Sequence, residues 1–343
     1  MSTIYLCSTD PSAGKTLLAI GLARQLAKLG YSVGYIKPVA ASGHGDVQLM
    51  KGLLSLSEPD NLIGPVDLGA AEAGSGLAAR VEQAYRQVAQ GKDVVLAEGG
   101  GNLNEGAQVG LSAAQVATKL EAAVVLVVKY IGEATIDSVL VSKRSLGELL
   151  SGVVVNNVPA AQESLANKTV VPALEGRQVK VLGVVPQDPV LLAPTVKELV
   201  EVLGAEVLCC EDQVGRLVES LLIGAISYEG SSAYFARKRN KAVLSPANRP
   251  DMQLWALAGP LSCLIITGRY NPDPTVLANA KAKGVPVVRA DKDSVATVEA
   301  MQELFVKGSV GQPDKLVRID ALLSGRLDFH SVFSALQLPR RAG

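Results

Sequence analysis

The residues of this chain best suited to chemistry stand in STDPSAGKT, residues 8–16. A phosphate-binding loop needs backbone N–H groups turned inward, a helix N-terminus aimed at the anion, and a lysine for the terminal phosphates. Ser12-Ala13-Gly14 supplies the tight turn, Lys15 the cation, and Thr16 a hydroxyl placed to ligate Mg²⁺. Thr9 takes the slot of the first glycine of the strict loop. Thr9, Asp10, Ser12, Ala13, Gly14, Lys15, Thr16 and Leu17 are therefore the expected nucleotide contacts around the turn and the first helical residues. TIYLCS before the loop reads as a buried strand, and LLAIGLARQLAKLG after it as an amphipathic helix ending at Gly30. A bare GKT tripeptide is common by chance; between a strand and a helix it is specific.

Two further segments extend the site. Lys37 in YIKPVAASG follows the second strand, and the ends of such strands are where ligands bind. Glu98 ends the buried strand VVLAE and precedes three glycines. A carboxylate there suits a magnesium shell, and glycines let backbone approach phosphate. Taken singly, Lys37 reads equally as a surface cation and Glu98 as a helix-capping acid. Together, at successive strand ends, they point to a Mg-nucleotide site.

Farther along, Arg249, Arg269 and Arg289 each end one of three successive short strands. Parallel strand ends share one edge, so this spacing suggests an anion site there, or else structural pairing with Asp251, Asp273, Asp291 and Asp293 in the same loops. The two histidines, His44 and His330, make no metal cluster. Cys7, Cys209, Cys210 and Cys263 lack metal-ligand spacing and read as reduced, buried thiols, with the neighbours Cys209 and Cys210 on opposite strand faces.

The elements that must position these residues alternate between short β-branched runs and helical patterns. SVGYIKPV, DVVLAEG, AAVVLVV, GVVVNNV and VKVLGVV are strands, with helices expected near 15–29, 46–55, 74–90, 112–119 and 135–149. Such alternation predicts βαβ units and a doubly wound parallel sheet. TVKELVEVLG, after Pro194, is one more helix. A second series follows: AEVLCC, a helix near 213–225, KAVLSP, a helix near 250–257, SCLIITG, a helix near 274–283, VPVVRA and a helix near 294–306. At 343 residues two domains are expected, with the boundary near 190–205. Lys plus Arg equals Asp plus Glu at 33 each, so no global field recruits nucleic acid or anionic lipid. The run ARKRNK at 236–241 reads as a solvated helix end. AAVVLVV is too short to span a bilayer, and the start of the chain shows no signal-peptide pattern, so a cytoplasmic protein without membrane insertion is expected.

As a set, these motifs resemble a family. Residues 8–16 are similar to the Gly-Thr-Asp-Thr-x-x-Gly-Lys-Thr loop of dethiobiotin synthetases, with Ser8 and Pro11 as departures. Lys37-Pro38-Val39 and Glu98-Gly99 are similar to that family's as well. The resemblance covers about residues 1–190. It implies that Asn156 reads the adenine ring, that Asp46 is a second magnesium carboxylate beside Thr16 and Glu98, and that Pro186 and Gln187 lie in the adenine-side loop. It also implies that Lys15 and Lys37 stabilise charge during phosphoryl transfer.

The stretches GAISYEGSSAYFARKRNKAVLSPANRPDMQLWALA and SCLIITGRYNPDPTVLANAKAKGVPVV resemble the DRTGG domain. Departures are Ala247-Asn248-Arg249 for its Gly-Asp-Arg and Thr267-Gly268-Arg269 for its Thr-Gly-Gly. The whole chain resembles a free-standing form of the N-terminal region of long bacterial phosphotransacetylases.

The resemblance implies a P-loop NTPase domain at 1–195, a smaller α/β DRTGG-like domain at 205–308 and a tail at 309–343; within the tail, SGRLDFHSVFSALQLPRRAG reads as having a short amphipathic section that could dock on the body or on another subunit. It implies ATP and Mg²⁺ as cofactors, a homodimer, and a protein partner for the DRTGG-like domain. Acetyl transfer is not expected, since that chemistry resides in a separate domain of the longer relatives. Three functions follow: a nucleotide-responsive regulatory or assembly protein, an ATP-dependent carboxylate-activating ligase similar to dethiobiotin synthetase or cobyrinic acid diamide synthase, or a nucleotide-independent scaffold. The ligase would need an acceptor pocket, and the loop 40–46 is where one is expected.

Overall fold

The structure is a computed structural model, and it describes residues 2–40, 45–69, 76–223, 240–307 and 310–334. Residues 41–44, with His44, and 236–239 of the basic run lie outside the described residues. The described residues form two compact units: one holds those up to Gln187 and those from Gly311 onward, the other those from Asp188 to Val310.

The first unit contains strands β1 (Ser2–Ser8), β2 (Val33–Ile36), β3 (Val39–Ala40), β4 (Val66–Asp67), β5 (Val94–Glu98), β6 (Ala123–Lys129), β7 (Leu150–Val158) and β8 (Val181–Pro186). Six of them make one parallel sheet in the order β2-β5-β1-β6-β7-β8, while β3 and β4 pair separately. Successive residues of β1 and of β6 are buried, so both sheet faces are covered. That is why these strands read as continuous apolar runs instead of alternating ones. A helical run absent from the expectations, Glu163–Leu165, Ala166–Val170 and Val171–Glu175, joins β7 to β8.

Helix α1 (Lys15–Lys28) follows β1, and the described end of the chain returns to it. Helix Pro313–Ser324 lies along α1: Arg24 donates from Nε and Nη2 to the two oxygens of Asp320 at 2.9 and 2.8 Å, and Lys28 donates to the same carboxylate at 2.8 Å. Beyond it, Leu327 bridges Gly183 in antiparallel fashion and the Asp328 N–H donates to the Leu182 carbonyl at 2.8 Å. The exposed edge of β8 is thereby occupied, which removes a template for unwanted strand pairing.

The second unit contains β9 (Glu206–Cys209), β10 (Ser220–Ile223), β11 (Lys241–Pro246), β12 (Cys263–Thr267) and β13 (Val287–Ala290), in the order β10-β11-β12-β13-β9. The first four are parallel; β9 joins β13 antiparallel, so the sheet is mixed. Helix Val196–Leu203 opens with a capping box, Thr195 and Glu198 satisfying each other's backbone N–H groups, and closes on Gly204 in the left-handed region.

Two expectations are overturned here. The helix expected near 213–225 is a 3₁₀ turn, Glu211–Gln213, followed by strand β10, whose residues pair in register with Lys241–Leu244. Gly215 weakens helix formation, and a neighbouring strand offers the leucine run a partner. Nor do Cys209 and Cys210 point to opposite faces. Cys210 leaves the strand at φ 56°, ψ 46°, which turns its side chain back, and the two thiols approach the carbonyls of Val285 and Ala280, at either end of one turn. No described helix is long and apolar enough to cross a membrane.

Candidate functional site

Three adjacent strands, β2, β5 and β1, deliver their C-terminal ends to one edge of the first sheet. From β1 the chain enters the loop. Asp10 Oδ1 accepts the Ser12 N–H at 2.8 Å and the Asp10 carbonyl accepts the Ala13 N–H at 3.2 Å, closing the turn before α1. Gly14 stands at φ 96°, and an ideal Cβ there would lie 2.1 Å from Asn156 Nδ2. That amide donates to the Ala13 carbonyl at 2.7 Å. Glycine is thus required twice, by the backbone and by its neighbour.

Asn156, near the end of β7, thus braces the loop through one of its two amide protons. Pro186 closes β8, and the Gln187 N–H donates to the Val158 carbonyl at 2.8 Å, which places both residues at the same sheet edge. Neither side chain bonds to the loop among the described residues.

Lys15 is buried at 5 % exposure, and its Nζ donates to Ser8 Oγ at 2.8 Å. Burial pulls its pKa below the ordinary lysine value, with Glu98 opposing. Thr16 Oγ1 donates to Glu98 Oε1 at 2.7 Å, and Tyr35 donates its hydroxyl to Oε2 at 3.0 Å. Lys37 reaches Glu98 Oε1 at 3.4 Å and pairs with Asp46. Burial lowers the Lys37 pKa, but Glu98 and Asp46 outweigh it and the net shift is upward. Tyr35, fully buried, has its pKa held well above the ordinary value by burial and by Glu98, so it stays a donor. The structure therefore brings Lys15, Thr16, Lys37, Asp46 and Glu98 into one cluster.

Thr16, Asp46 and Glu98 offer only oxygen ligands, the donor set of Mg²⁺, which binds through one or two carboxylates and fills its shell with phosphate oxygens and water. Among the described residues no three His, Cys, Asp or Glu side chains converge as a metal site, so the ion would depend on phosphate for the rest of its shell.

The glycines after Glu98 also make room within the chain. An added Cβ on Gly99 would meet Tyr5 Oη at 2.8 Å, and on Gly100 and Gly101 the carboxylate of Glu105 at 2.5 and 2.7 Å. Glu105 accepts the Gly101 N–H, and its Oε1 is buried with no hydrogen-bond partner among the described residues. The glycine run makes room for a tyrosine and a glutamate of the chain itself. Ser8, Tyr35 and Glu105 are the site residues that sequence reasoning missed. Only Ser8 carried a signal, as a departure from the loop pattern it resembles.

In the second unit the ends of β11, β12 and β13 do share an edge. Arg249, however, is engaged by Asp251 at 3.0 and 2.9 Å, and Arg289 by Glu206 at 2.5 Å and by Asn271. Arg269 is exposed. Among the described residues, Arg269 is thus the one of the three whose guanidinium forms no ion pair.

With this geometry in place, comparison with known proteins is informative. The profile of the AAA domain family matches residues 2–195, and that of the DRTGG domain residues 198–304. The phosphate acetyltransferase of Pseudomonas putida is 26 % identical over 361 residues, covering 96 % of this chain and 51 % of its own length. The ATP-dependent dethiobiotin synthetase BioD of Methanocaldococcus jannaschii is 37 % identical over 65 residues, 19 % of this chain and 30 % of its own length. Among solved structures, the MinC:MinD cell division protein complex of Aquifex aeolicus is similar at a TM-score of 0.40 and 18 % identity, covering 56 % of this chain and 84 % of that one. The chain spans about half the length of the phosphate acetyltransferases it matches. It belongs to the AAA domain family, with a P-loop domain of parallel-sheet α/β architecture followed by a DRTGG domain.

Proposed function

We propose that the first unit binds Mg-ATP and that the protein is a nucleotide-responsive regulatory or assembly protein. The observation that carries the reading is the cluster at the sheet edge: Lys15, Thr16 and Glu98 around a loop whose N–H groups and helix start suit phosphate. Lys15 would reach the terminal phosphates, Thr16, Glu98 and Asp46 would hold magnesium, and Lys37 would neutralise charge on the γ-phosphate side. Pro186, Gln187 and Asn156 lie at the edge where the base would sit. The DRTGG domain supplies a second module whose surface nucleotide binding could bias, a coupling free energy between two sites. Homodimer formation, a protein partner for the DRTGG domain, an anionic effector at Arg269 and a cytoplasmic setting belong to this reading. So does the absence of acetyl transfer, which an assay with acetyl phosphate and coenzyme A would check.

The local similarity to a dethiobiotin synthetase favours one second reading, an ATP-dependent ligase that activates a carboxylate. Titration calorimetry of Mg-ATP into wild type and Lys15→Ala, followed by phosphate release on the same samples, separates the two. Binding that Lys15→Ala abolishes, without turnover, supports the regulatory reading. Steady release, alone or on adding carboxylic acids, supports the ligase, and no binding by wild type leaves only a scaffold.

A further inference from the structure

Ser8 stands where the loop that this chain resembles has glycine, and it is not a passive replacement. Its side chain is fully buried at the end of β1, paired in register with Val127 on β6. The hydroxyl proton is committed to the Asp10 carbonyl at 2.7 Å, with the Gly101 carbonyl also near at 3.4 Å. The lone pairs of Oγ are left for Lys15 Nζ at 2.8 Å. The hydroxyl is thus oriented by the loop backbone to be an acceptor, and the group it accepts from is the loop's own ammonium.

We propose that Ser8 is a positioning residue that holds Lys15 in a resting seat, from which phosphate must take it. The inference rests on the nucleotide-binding reading above. With glycine at this position the ammonium would have no such acceptor, and a buried ammonium short of partners is unfavourable. Hydrogen bonds to charged groups are the stronger kind, so the seat stabilises the nucleotide-free state. Apparent affinity falls by the fraction of molecules in which the lysine is free. The serine turns a permanently poised loop into one with a threshold, which suits a protein that responds to nucleotide concentration.

The test is Mg-ATP calorimetry on the full chain as wild type, Ser8→Ala, Ser8→Gly, Lys15→Ala and the Ser8→Ala/Lys15→Ala pair. Both Ser8 variants should bind about tenfold tighter than wild type, the order expected for losing one charge-assisted hydrogen bond. Ser8→Ala should give no gain where Lys15 is already alanine. Affinity equal to or weaker than wild type, or the same gain without Lys15, overturns the proposal while leaving nucleotide binding intact.

A second measurement needs no nucleotide: the acylation rate of Lys15 by a small amine-reactive ester, read by peptide mass spectrometry. Ser8→Ala should raise that rate severalfold. If no form of the protein binds Mg-ATP, the nucleotide reading fails. The seat is then judged by acylation alone, and an unchanged rate overturns it.

Discussion

Replacing Gly21 by alanine sets two opposing effects against each other on the helix that carries the phosphate loop. Alanine in a helix interior is favoured over glycine by about 1 kcal/mol. At this position, however, an ideal Cβ would lie 2.1 Å from Leu323 Cδ1 and 3.5 Å from Ile319 Cγ2. Leu323 is 1 % exposed and Ile319 fully buried, so neither can swing into solvent to relieve the clash. Overpacking costs about 1–3 kcal/mol. The clash wins, and Gly21→Ala should destabilise the first unit by about 1 kcal/mol net.

Leu323→Ala alone should cost about 3 kcal/mol as a core truncation. In that background the clash is gone and the new methyl fills part of the cavity. The same glycine substitution should then be stabilising by about 1 kcal/mol, giving a coupling of about 2 kcal/mol across the pair. The reversal of sign is the diagnostic, since no purely local effect on α1 produces it. Trp255, the single tryptophan, lies in the second unit, so its fluorescence reports on the wrong part of the chain. Hydrogen exchange of the α1 amides from Leu18 to Leu26 is the suitable assay. If Gly21→Ala stabilises those amides in the wild-type background, Leu323 does not lie against Gly21 and the placement of the returning helix is wrong.

Three more outcomes are expected. Tyr35→Phe should leave the fold intact but weaken the magnesium dependence of nucleotide binding about tenfold, because Glu98 Oε2 loses the donor that orients it; an unchanged magnesium titration counts against Glu98 as a metal-side carboxylate. Gly100→Ala should destabilise by only about 0.5 kcal/mol, because the atoms it meets are the far end of the half-buried Glu105 side chain, which can shift, and Glu105→Ala should remove that cost, as thermal unfolding of the single and double variants would show. Asp320→Asn should cost about 1 kcal/mol at neutral pH, as a partly exposed ion pair does. The Arg24 hydrogen bond holds Asp320 below its ordinary value of 3.8, so this contribution is complete above that pH and is lost as pH falls through the lower folded value; the gap between wild type and variant should therefore close only below pH 3.8.

The parallel sheets were legible because burial on both faces leaves its mark on the strands themselves. AVVLVV in β6 and CLIIT in β12 have no polar alternation to offer, and helices of suitable length separate them from their neighbours. Where the mark is ambiguous the reading failed. LVESLLI suits a helix face as well as a strand, and only the pairing of β10 with β11 decides between them. The antiparallel direction of β9 depends on a partner distant in sequence, and strand composition carries no direction. The returning helix, Pro313–Ser324, was not among the expected helices, and the amphipathic section read in the tail begins only at Ser324. What that helix is buried against, α1, is a fact about Arg24, Asp320 and a missing Cβ at Gly21 that lie about three hundred residues apart.

The site divides in a similar way. Lys15, Thr16, Lys37 and Glu98 could be named because their chemistry is in the residue type and their meeting is enforced by adjacent strand ends. Their partners could not, because a hydrogen bond such as Tyr35 to Glu98 links residues 63 apart through a geometry that no spacing rule encodes. Glycine shows the limit most clearly. A glycine says that something lies close to the backbone and is silent about what; at Gly14 it is Asn156, at Gly21 Leu323, and at Gly100 Glu105. Reading the run after Glu98 as an approach for phosphate chose one occupant from several that fit. The converse case is Ser8, where a glycine of the resembled loop is absent. There a side chain has been added to a crowded position, and a buried hydroxyl with both its proton and its lone pairs engaged cannot be neutral toward the lysine it holds. A departure from a motif is therefore more informative than a match: the match says what the loop can bind, and the departure says what binding must displace.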